Sequence, residues 1–582
     1  MGYLANTLLA LLCLLLSAYS WHLARNIAQA KRLKLPCLVV PVDQSSLVWM
    51  LAMMPLRPLV ERVLPTRAYR RLKLATFDWE WHEKRKPFED CAAPTFVLAG
   101  CGSLLEVWTC DALIAADVLS NPAEFHVSKL GTALLGAIGP NVMSTNGKEW
   151  SIQRKLLQQV INERISKSTF GEAVAQTTGM LNEAAALDKY TVEPKEIFSL
   201  SKKLAINVLN ATVMGISSAW AAQDEPPLPG FQTTFIDAVA TLLASIPGAF
   251  VVPSGILARW PSWAPNSKWM RQVGAAKMEF PRHVSHFFEV ERDRSYQADS
   301  KANILSHLFQ ASGRSIQKSA ADKRQQPILS ELSLAANLFA VTGAGFDTSA
   351  NSIANVLLLL ARYPTWQQWL MEEIAEILPR GQNDNARAEY AAIYPRAVGM
   401  QAFFLETLRL FPPLPRIFRD AESPQTIRST GGALTLPAGT RVHIDVVALH
   451  LAPEPWRELN RGSDPAGLGG VQGATGPDEL AFRPSRWLGV DGRVFTPPRG
   501  AYLAWGTGGR VCPGQKMSQV EMVAFMATLL QRCEVKPAAL DDETEVQTFA
   551  RLDAAMQDCE WAPTMRMREG AGVKLVERAS HE

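Results

Sequence analysis

The sequence predicts a mostly α-helical fold with a small β region, in which one large domain occupies most of the chain. Apolar residues recur with a helical period from about residue 69 onward, whereas runs typical of strands are few and short. No internal repeat and no clear break divides the chain after residue 70, so we expect one domain there. The predicted helices are 146–163, 201–219, 330–362, 365–378, 396–411 and 514–532, and the predicted strands are 95–98, 434–436 and 441–447.

The composition is that of a globular protein and excludes several other classes. Of the 582 residues, 47% are hydrophobic, which is too many for a disordered chain. The net charge is only +3, and a nucleic-acid-binding protein would carry a stronger basic imbalance. The eight cysteines are scattered and form no CxxC pair, so neither a disulfide framework nor a zinc site is predicted.

The first element of the chain is a strongly apolar stretch, Leu8–Leu23. Together with Tyr3–Thr7 it reaches about the 20 residues that a membrane-spanning helix needs. Basic residues follow it and none precedes it, which favours an uncleaved anchor over a cleaved signal peptide and places its C-terminal side in the cytosol. We therefore predict a transmembrane anchor at 1–24, a proline-rich neck at 25–68 and the large domain at 69–582.

Two helical segments carry polar residues at helical spacing. Trp150 and Arg154 are four residues apart and therefore share a helix face. A surface arginine beside a half-buried tryptophan would give the same spacing, so the spacing alone does not indicate a binding site. Glu406 and Arg409 are three residues apart and can pair. Phenylalanine and leucine residues flank this second pair, so we expect it to be buried, and a buried ion pair needs further partners.

The predicted helix 330–362 contains residues that are poor choices for the middle of a buried helix. They are Gly343, Gly345, Asp347 and Thr348. Each has low helix propensity or competes for backbone hydrogen bonds. Small residues let a partner approach the backbone, and a threonine hydroxyl can disturb the helical hydrogen-bond ladder. From these residues alone, a kinked core helix and a binding site both stay open.

The segment 505–514, with the sequence WGTGGRVCPG, is the most informative part of the chain. Its glycines allow tight turns and close approach to a flat group, and Pro513 suits the first turn of the predicted helix 514–532. Cys512 is therefore expected at a helix N-terminus, where the helix dipole and free N–H groups favour the thiolate. A thiolate in such a loop can serve as an axial ligand to a heme iron.

This segment resembles the heme-binding signature of the cytochrome P450 family. The matching residues are Trp505, Gly508, Arg510, Cys512 and Gly514, with Trp505 where the family usually has Phe. The resemblance implies the cytochrome P450 fold and a heme b whose iron is ligated by Cys512. It covers about residues 90–560, because the other segments occur in the family's order.

The resemblance assigns roles to the remaining candidates. Asp347 and Thr348 would relay protons to dioxygen at the heme, and Gly345 and Trp505 would contact the cofactor. The residues that would hold the heme propionates are Trp150, Arg154, Arg419 and Arg510.

A structural role is implied for a further set of residues. Glu406 and Arg409 would join Arg486 in a network that braces the cysteine loop. His450 is assigned no chemistry.

The activity that the resemblance implies is that of a membrane-anchored heme-thiolate monooxygenase. It would insert one oxygen atom of O2 into a small lipophilic substrate. Electrons would come from NADPH through NADPH–cytochrome P450 reductase, because the chain has no GxGxxG motif of its own. Arg510 and Lys516 would contribute positive charge to the reductase-docking face. The expected location is the endoplasmic reticulum membrane, with a single pass and the catalytic domain in the cytosol.

The residues after Cys512 resemble those of fungal family members that tailor secondary metabolites. Two other functions stay open at this point. One is a heme-thiolate isomerase or dehydratase that does not use O2, and the other is a non-catalytic heme-binding membrane protein. The intact Asp347–Thr348 pair favours the monooxygenase.

Overall fold

The computed structural model describes residues 2–44, 46–76, 78–221, 226–245, 252–264, 266–294, 303–310, 329–378, 389–457, 477–561 and 564–578. The chain divides into two compact units. The first unit consists of Met1–Thr132, Leu414–Arg457 and Pro497–Val511, and the second consists of Ala133–Pro413, Glu458–Thr496 and Cys512–Glu582. The boundaries predicted at residues 24 and 68 stay predictions.

Helices account for most of the described residues, and the strands are short, as the sequence predicted. The α-helices are Gly2–Leu33, Leu47–Val63, Thr66–Lys73, Trp79–Glu83, Lys86–Asp90, Ala112–Ser120, Lys129–Leu135, Gly147–Val160, Glu163–Ala186, Glu196–Leu209, Phe235–Ala244, Ser254–Ala258, Ser267–Arg294, Ile304–Phe309, Glu331–Arg362, Pro364–Ile377, Tyr390–Ile393, Val398–Leu410, Val446–His450, Pro453–Trp456, Gln515–Arg532 and Glu545–Gln557. The strands are β1 (Cys37–Val39), β2 (Thr95–Ala99), β3 (Leu105–Thr109), β4 (Phe125–His126), β5 (Thr191–Val192), β6 (Arg416–Ala421), β7 (Gln425–Ser429), β8 (Gly432–Leu436), β9 (Thr440–Asp445), β10 (Cys533–Pro537), β11 (Cys559–Trp561), β12 (Met565–Met567) and β13 (Val573–Glu577).

The first unit is built on a six-stranded mixed sheet. Its strand order is β1-β2-β3-β9-β6-β4, and β7 pairs separately with β8. Strand β1 runs parallel to β2, and β3 runs parallel to β9. Every residue of β2, β3 and β9 is buried, so these strands are covered on both faces. The predicted strands 95–98 and 441–447 correspond to β2 and β9, whereas β3 was not predicted.

The N-terminal helix Gly2–Leu33 is longer than the predicted anchor, and its second half packs within the first unit. Ala30 is fully buried against the core of this unit, and Asn26 donates hydrogen bonds of 3.0 Å to the carbonyl oxygens of Gly100 and Gly102. Among the residues that the structure describes, no helix has the length and apolarity needed to cross a membrane. The transmembrane helix predicted at 1–24 is therefore not supported.

The second unit contains the two helices that matter most for the site. Glu331–Arg362, called the Thr348 helix below, is buried at every position from 350 to 361. Gln515–Arg532, called the Gln515 helix, begins three residues after Cys512. The unit also holds a three-stranded sheet of order β10-β13-β5 and the pair β11-β12. Its apolar core includes Phe280, Leu338 and Met517.

The observed helices in this unit follow the predicted ones closely, with one early end. The helix predicted to reach residue 219 ends at Leu209 and passes into a π-helical turn, Asn210–Met214. Gly215, with a φ of 71°, then ends the helical conformation. Glycine adopts this left-handed conformation without steric cost, so it is a frequent helix terminator.

Candidate functional site

Cys512 lies where the chain turns into the Gln515 helix, as the sequence predicted. Gly514 is the N-cap residue of that helix, and the backbone N–H groups of Gly514 and Gln515 hydrogen-bond to the Cys512 sulfur. The thiol is exposed to a cavity of about 380 Å³. The residues that line this cavity are Arg154, Gln158, Ile161, Cys512, Pro513, Gln515, Lys516 and Gln519.

The electrostatic environment of Cys512 suits a metal-bound thiolate better than a free one. Desolvation raises the pKa of the thiol, because the sulfur is recessed among protein atoms even though its surface faces the cavity. The two backbone N–H groups and the positive charge of Arg154 act in the opposite direction. A coordinated metal cation deprotonates a thiol outright, which overcomes the cost of desolvation.

Arg154 is one of the two basic residues that line this cavity. It lies in the helix Gly147–Val160, is 7% exposed, and its Nε has no hydrogen-bond partner among the described residues. Desolvation lowers the pKa of this guanidinium, and the Cys512 sulfur opposes that shift. A buried donor without an acceptor is costly, and a carboxylate supplies the acceptor that it lacks. A heme propionate fits this requirement.

Trp150 lies four residues before Arg154 in the same helix and is half-buried. Both residues lie in one α-helix, as the sequence predicted, and so share a helix face. The assignment of Trp150 to a propionate stays a prediction.

The middle of the Thr348 helix is more exposed than the helical segments on either side of it. Ala344 is exposed, and Gly345, Asp347 and Thr348 are only partly buried. The Thr348 hydroxyl donates to the carbonyl oxygen of Ala344 at 2.7 Å and approaches that of Gly345 at 3.3 Å. A Cβ on Gly345 would lie 2.9 Å from the Leu209 side chain, so this glycine also has a packing role between two helices. The contact of Gly345 with a cofactor stays a prediction.

Asp347 is held by two residues that the sequence analysis missed. Its carboxylate accepts a hydrogen bond of 2.5 Å from the Thr564 hydroxyl, which in turn accepts one of 2.7 Å from the Asn351 amide. Desolvation raises the pKa of Asp347, while the Thr564 hydrogen bond and the charges of Arg566 and Lys202 oppose that shift. Thr564 is 217 positions from Asp347 in the chain, and no spacing rule reaches so far.

A buried carboxyl group from another helix also contacts this helix. Glu521 of the Gln515 helix accepts a hydrogen bond of 2.7 Å from Ser349, and burial raises the pKa of Glu521 to about 7. A lone acid within the apolar run of the Gln515 helix was the available sequence signal for it.

The predicted ion-pair network is present and fully buried. Glu406, Arg409 and Arg486 are each no more than 1% exposed. The Glu406 carboxylate accepts hydrogen bonds from both guanidinium groups and also from the Trp487 indole and the Arg483 backbone N–H. Desolvation alone would raise the pKa of Glu406, but Arg409 and Arg486 hold it at about 2. The network is therefore ionised in the folded protein.

Three of the predicted cofactor-binding residues belong to the first unit. Trp505 packs edge-on against Tyr502, with 6.0 Å between ring centroids, and Arg510 ends the 3₁₀ turn Gly508–Arg510. Burial lowers the pKa of Arg419 to about 10, and its guanidinium donates to the Phe418 carbonyl oxygen at 2.7 Å. Their assignments to the cofactor stay predictions.

His450 makes packing and hydrogen-bond contacts in the same unit. Its Nε2 accepts a hydrogen bond of 2.8 Å from the Leu503 N–H, and its ring stacks on Tyr502.

Comparisons with known proteins identify the family. The family model described as cytochrome P450 matches residues 107–459 and 477–556. A phomenoic acid biosynthesis cluster cytochrome P450 monooxygenase of Leptosphaeria maculans is 35% identical, over 97% of each chain. A cytochrome P450 monooxygenase of Arthrobotrys oligospora is 24% identical, over 96% of each chain. The fold resembles that of a cyanobacterial CYP120A1 solved with retinoic acid bound, with a TM-score of 0.60 and 17% identity, covering 86% of this chain and 95% of that one.

The family and the fold imply a heme whose iron is ligated by a cysteine thiolate, together with O2, a lipophilic substrate and a redox partner. The named relatives are monooxygenases. A model that matches most of the chain and a relative that is similar over nearly all of it lead to one conclusion: the chain belongs to the cytochrome P450 family of heme-thiolate monooxygenases.

Proposed function

We propose that this enzyme inserts one atom of O2 into a small lipophilic metabolite, using electrons that a reductase takes from NADPH. The observation that carries the proposal is the thiol of Cys512, which faces a cavity beside the unpartnered Nε of Arg154. One group bound there supplies the metal that a recessed thiolate needs and the acceptor that the arginine lacks. Cys512 is accordingly proposed as the heme ligand, with Arg154 and Trp150 as propionate ligands.

The bound heme supplies activation of O2 for oxygen transfer, a reaction that the thiolate promotes by donating electron density. The chain's own residues then have defined tasks. The N–H groups of Gly514 and Gln515 stabilise the charge on the sulfur. On the Thr348 helix, Thr348 and Asp347 hold and pass protons, since the Thr348 hydroxyl proton is engaged by a backbone carbonyl and its oxygen is free to accept one.

The substrate class follows from the relatives and is part of the proposal. The Leptosphaeria maculans relative is named for a phomenoic acid biosynthesis cluster. We propose that the present enzyme likewise acts in fungal secondary metabolism, by hydroxylation or a related oxidation of an apolar intermediate.

We propose that Lys516 forms part of the surface that binds the reductase. Its side chain is exposed beside the cavity, and its ammonium group lies 3.9 Å from the centroid of the Tyr394 ring. Reversing its charge with Lys516→Glu is expected to slow reductase-supported turnover, with the effect reduced at high salt. Unchanged turnover would remove Lys516 from the docking surface.

We also propose attachment to the endoplasmic reticulum membrane, with the catalytic residues in the cytosol. The support is a group of exposed apolar side chains on the N-terminal helix, Leu14, Leu15 and Leu16, followed by basic residues at the end of the helix. Replacing the three leucines with asparagine is expected to move the protein from the microsomal pellet to the supernatant. Retention in the pellet would contradict the proposal.

The decisive functional experiment is reconstitution of purified holoenzyme with NADPH–cytochrome P450 reductase. We expect NADPH consumption that requires both reductase and O2, and incorporation of one labelled atom from 18O2 into a product made from candidate polyketides or terpenoids. Product formation without NADPH and O2 would instead identify an isomerase or dehydratase.

A further inference from the structure

The hydrogen bonds around Asp347 have a fixed direction. A hydroxyl group has one proton to donate and can accept at its lone pairs. The Asn351 amide N–H occupies an acceptor position on Thr564, so the Thr564 proton is left for the Asp347 carboxylate. The chain Asn351 to Thr564 to Asp347 therefore matches an ionised Asp347. A protonated Asp347 can still accept this bond on its carbonyl oxygen, so its acid proton is expected on the oxygen that does not face Thr564.

Thr564 is held firmly in position by its surroundings. It is 7% exposed and directly precedes β12, where the Met565 N–H donates to the Pro413 carbonyl oxygen at 2.9 Å. Met565 and Met567 are both buried. Asn351 is 6% exposed on the Thr348 helix, one turn beyond Asp347. The donor that faces Asp347 is therefore held by a strand and by the helix itself.

Two exposed basic residues also act on Asp347. Lys202, on the helix Glu196–Leu209, is exposed and acts on Asp347 through its charge, as does Arg566 of β12. Arg566 is itself paired with Glu560 at 2.8 Å. The carboxyl group of Asp347 is thus within electrostatic range of two exposed cations.

We propose that Thr564, oriented by Asn351, is the positioning residue for Asp347 in proton delivery. It holds the ionised carboxylate more strongly than the protonated carboxyl group, whose O–H is then able to turn toward Thr348. The acid gives its proton to the relay, returns to the carboxylate form and is reloaded from water. This inference rests on the proposed monooxygenase function, and it adds a residue from the C-terminal segment to that function.

The test compares four holoenzymes: wild type, Thr564→Val, Thr564→Ser and Thr169→Val. Valine keeps the shape of threonine and removes the hydroxyl, whereas serine keeps the hydroxyl. Thr169 is the matched control, because within the described ranges its buried hydroxyl bonds only to the Ile165 carbonyl oxygen of its own helix. Each protein is loaded with heme, and its reduced CO-bound spectrum is recorded before the other assays.

The first readout is NADPH consumption with reductase across pH, with the hydrogen peroxide released per NADPH. A hydrogen bond from a neutral donor to a charged acceptor is worth enough to move a pKa by about one to two units. We expect Thr564→Val to shift the pH profile upward by about that amount and to raise the peroxide fraction several-fold. Thr564→Ser is expected to restore both values, and Thr169→Val to change neither.

The second readout does not depend on turnover. A double-mutant cycle of Asp347→Asn and Thr564→Val, measured by denaturant unfolding of the holoenzymes, is expected to show coupling of about tenfold or more in the unfolding equilibrium constant. An unshifted pH profile in Thr564→Val, or equal changes in the valine and serine variants, would overturn the positioning role. Absence of NADPH consumption by the wild type would overturn the proposed function itself, while the cycle would still report whether the two side chains interact.

Discussion

Substitution of the buried Glu406 tests most directly how much the ion-pair network stabilises the second unit. Glutamine has nearly the same shape, so Glu406→Gln removes a charge and exchanges one oxygen for an amide NH2 group. In the wild type, Oε1 accepts from Arg409, Arg483 and Arg486, and Oε2 accepts from Arg409 and Trp487. If the amide oxygen replaces Oε1, the NH2 group faces two donors, and both guanidinium groups lose their buried counter-ion.

The expected magnitude follows from these contacts. Each buried donor left without an acceptor costs about 1–3 kcal/mol. Removal of one partner from a buried ion pair costs about 3–5 kcal/mol in measured cases. The two routes agree, so we expect Glu406→Gln to lower the free energy of unfolding by about 3–5 kcal/mol. The matched control is Glu196→Gln, which breaks the exposed pair with Lys189 and should cost less than about 1 kcal/mol.

The stability difference between the wild type and Glu406→Gln should also depend on pH in a specific way. The pKa of Glu406 is about 2 in the folded protein, against an ordinary value of 4.5. Its stabilising contribution is therefore fully present above pH 4.5 and is lost as the pH falls toward 2. Denaturant unfolding of the wild type and Glu406→Gln between pH 7 and pH 4 should show a difference that is largest at neutral pH and begins to shrink near pH 4. A difference below 1 kcal/mol at pH 7 would refute the reasoning.

Three further predictions concern single sites. Arg154→Leu should weaken heme retention about tenfold, measured as heme per protein after gel filtration, because a charge-assisted hydrogen bond to the cofactor is lost; unchanged retention would contradict its assignment. Gly508→Ala should lower the unfolding free energy by more than 2 kcal/mol, because its φ is 73° and a Cβ would lie 2.3 Å from the Leu119 carbonyl oxygen, whereas the helical Gly171→Ala should be neutral or stabilising; equal effects would refute the strain argument. Since the pKa of Glu521 is raised to about 7, the wild type should lose stability as the pH rises from 4.5 through 7, and Glu521→Gln should gain about 2–3 kcal/mol relative to it over that range; parallel pH curves in denaturant unfolding would contradict this.

The sequence predicted residue positions most accurately where the residues lie within, or directly before, a single helix. The i,i+3 pairing of Glu406 with Arg409 follows directly from helical geometry, and the structure confirms it. The position of Cys512 before a helix followed from Pro513 and the glycines, and is likewise confirmed. Arg486 was reached only through the family resemblance, since no local rule joins residues 80 positions apart.

The remaining features depend on tertiary packing. Strand β3 was not predicted, although the equally buried β2 and β9 were, and its place between them follows only from the pairing within the sheet. Thr564 is one threonine among many in the sequence, and only the fold places it against Asp347. The N-terminal apolar stretch was read from hydropathy alone, and that measure does not register the contacts of Asn26 and Ala30 with the first unit.

The central claim is that Cys512 carries the heme, and the reduced, CO-bound absorption spectrum tests it most directly. The wild type, Cys512→Ala and the control Cys533→Ala, which removes a buried thiol elsewhere in the second unit, should be compared at equal protein concentration. We predict the red-shifted thiolate band in the wild type and in Cys533→Ala, and its loss in Cys512→Ala. A wild-type spectrum without that band, or its persistence in Cys512→Ala, would contradict the assignment of Cys512 as the heme ligand.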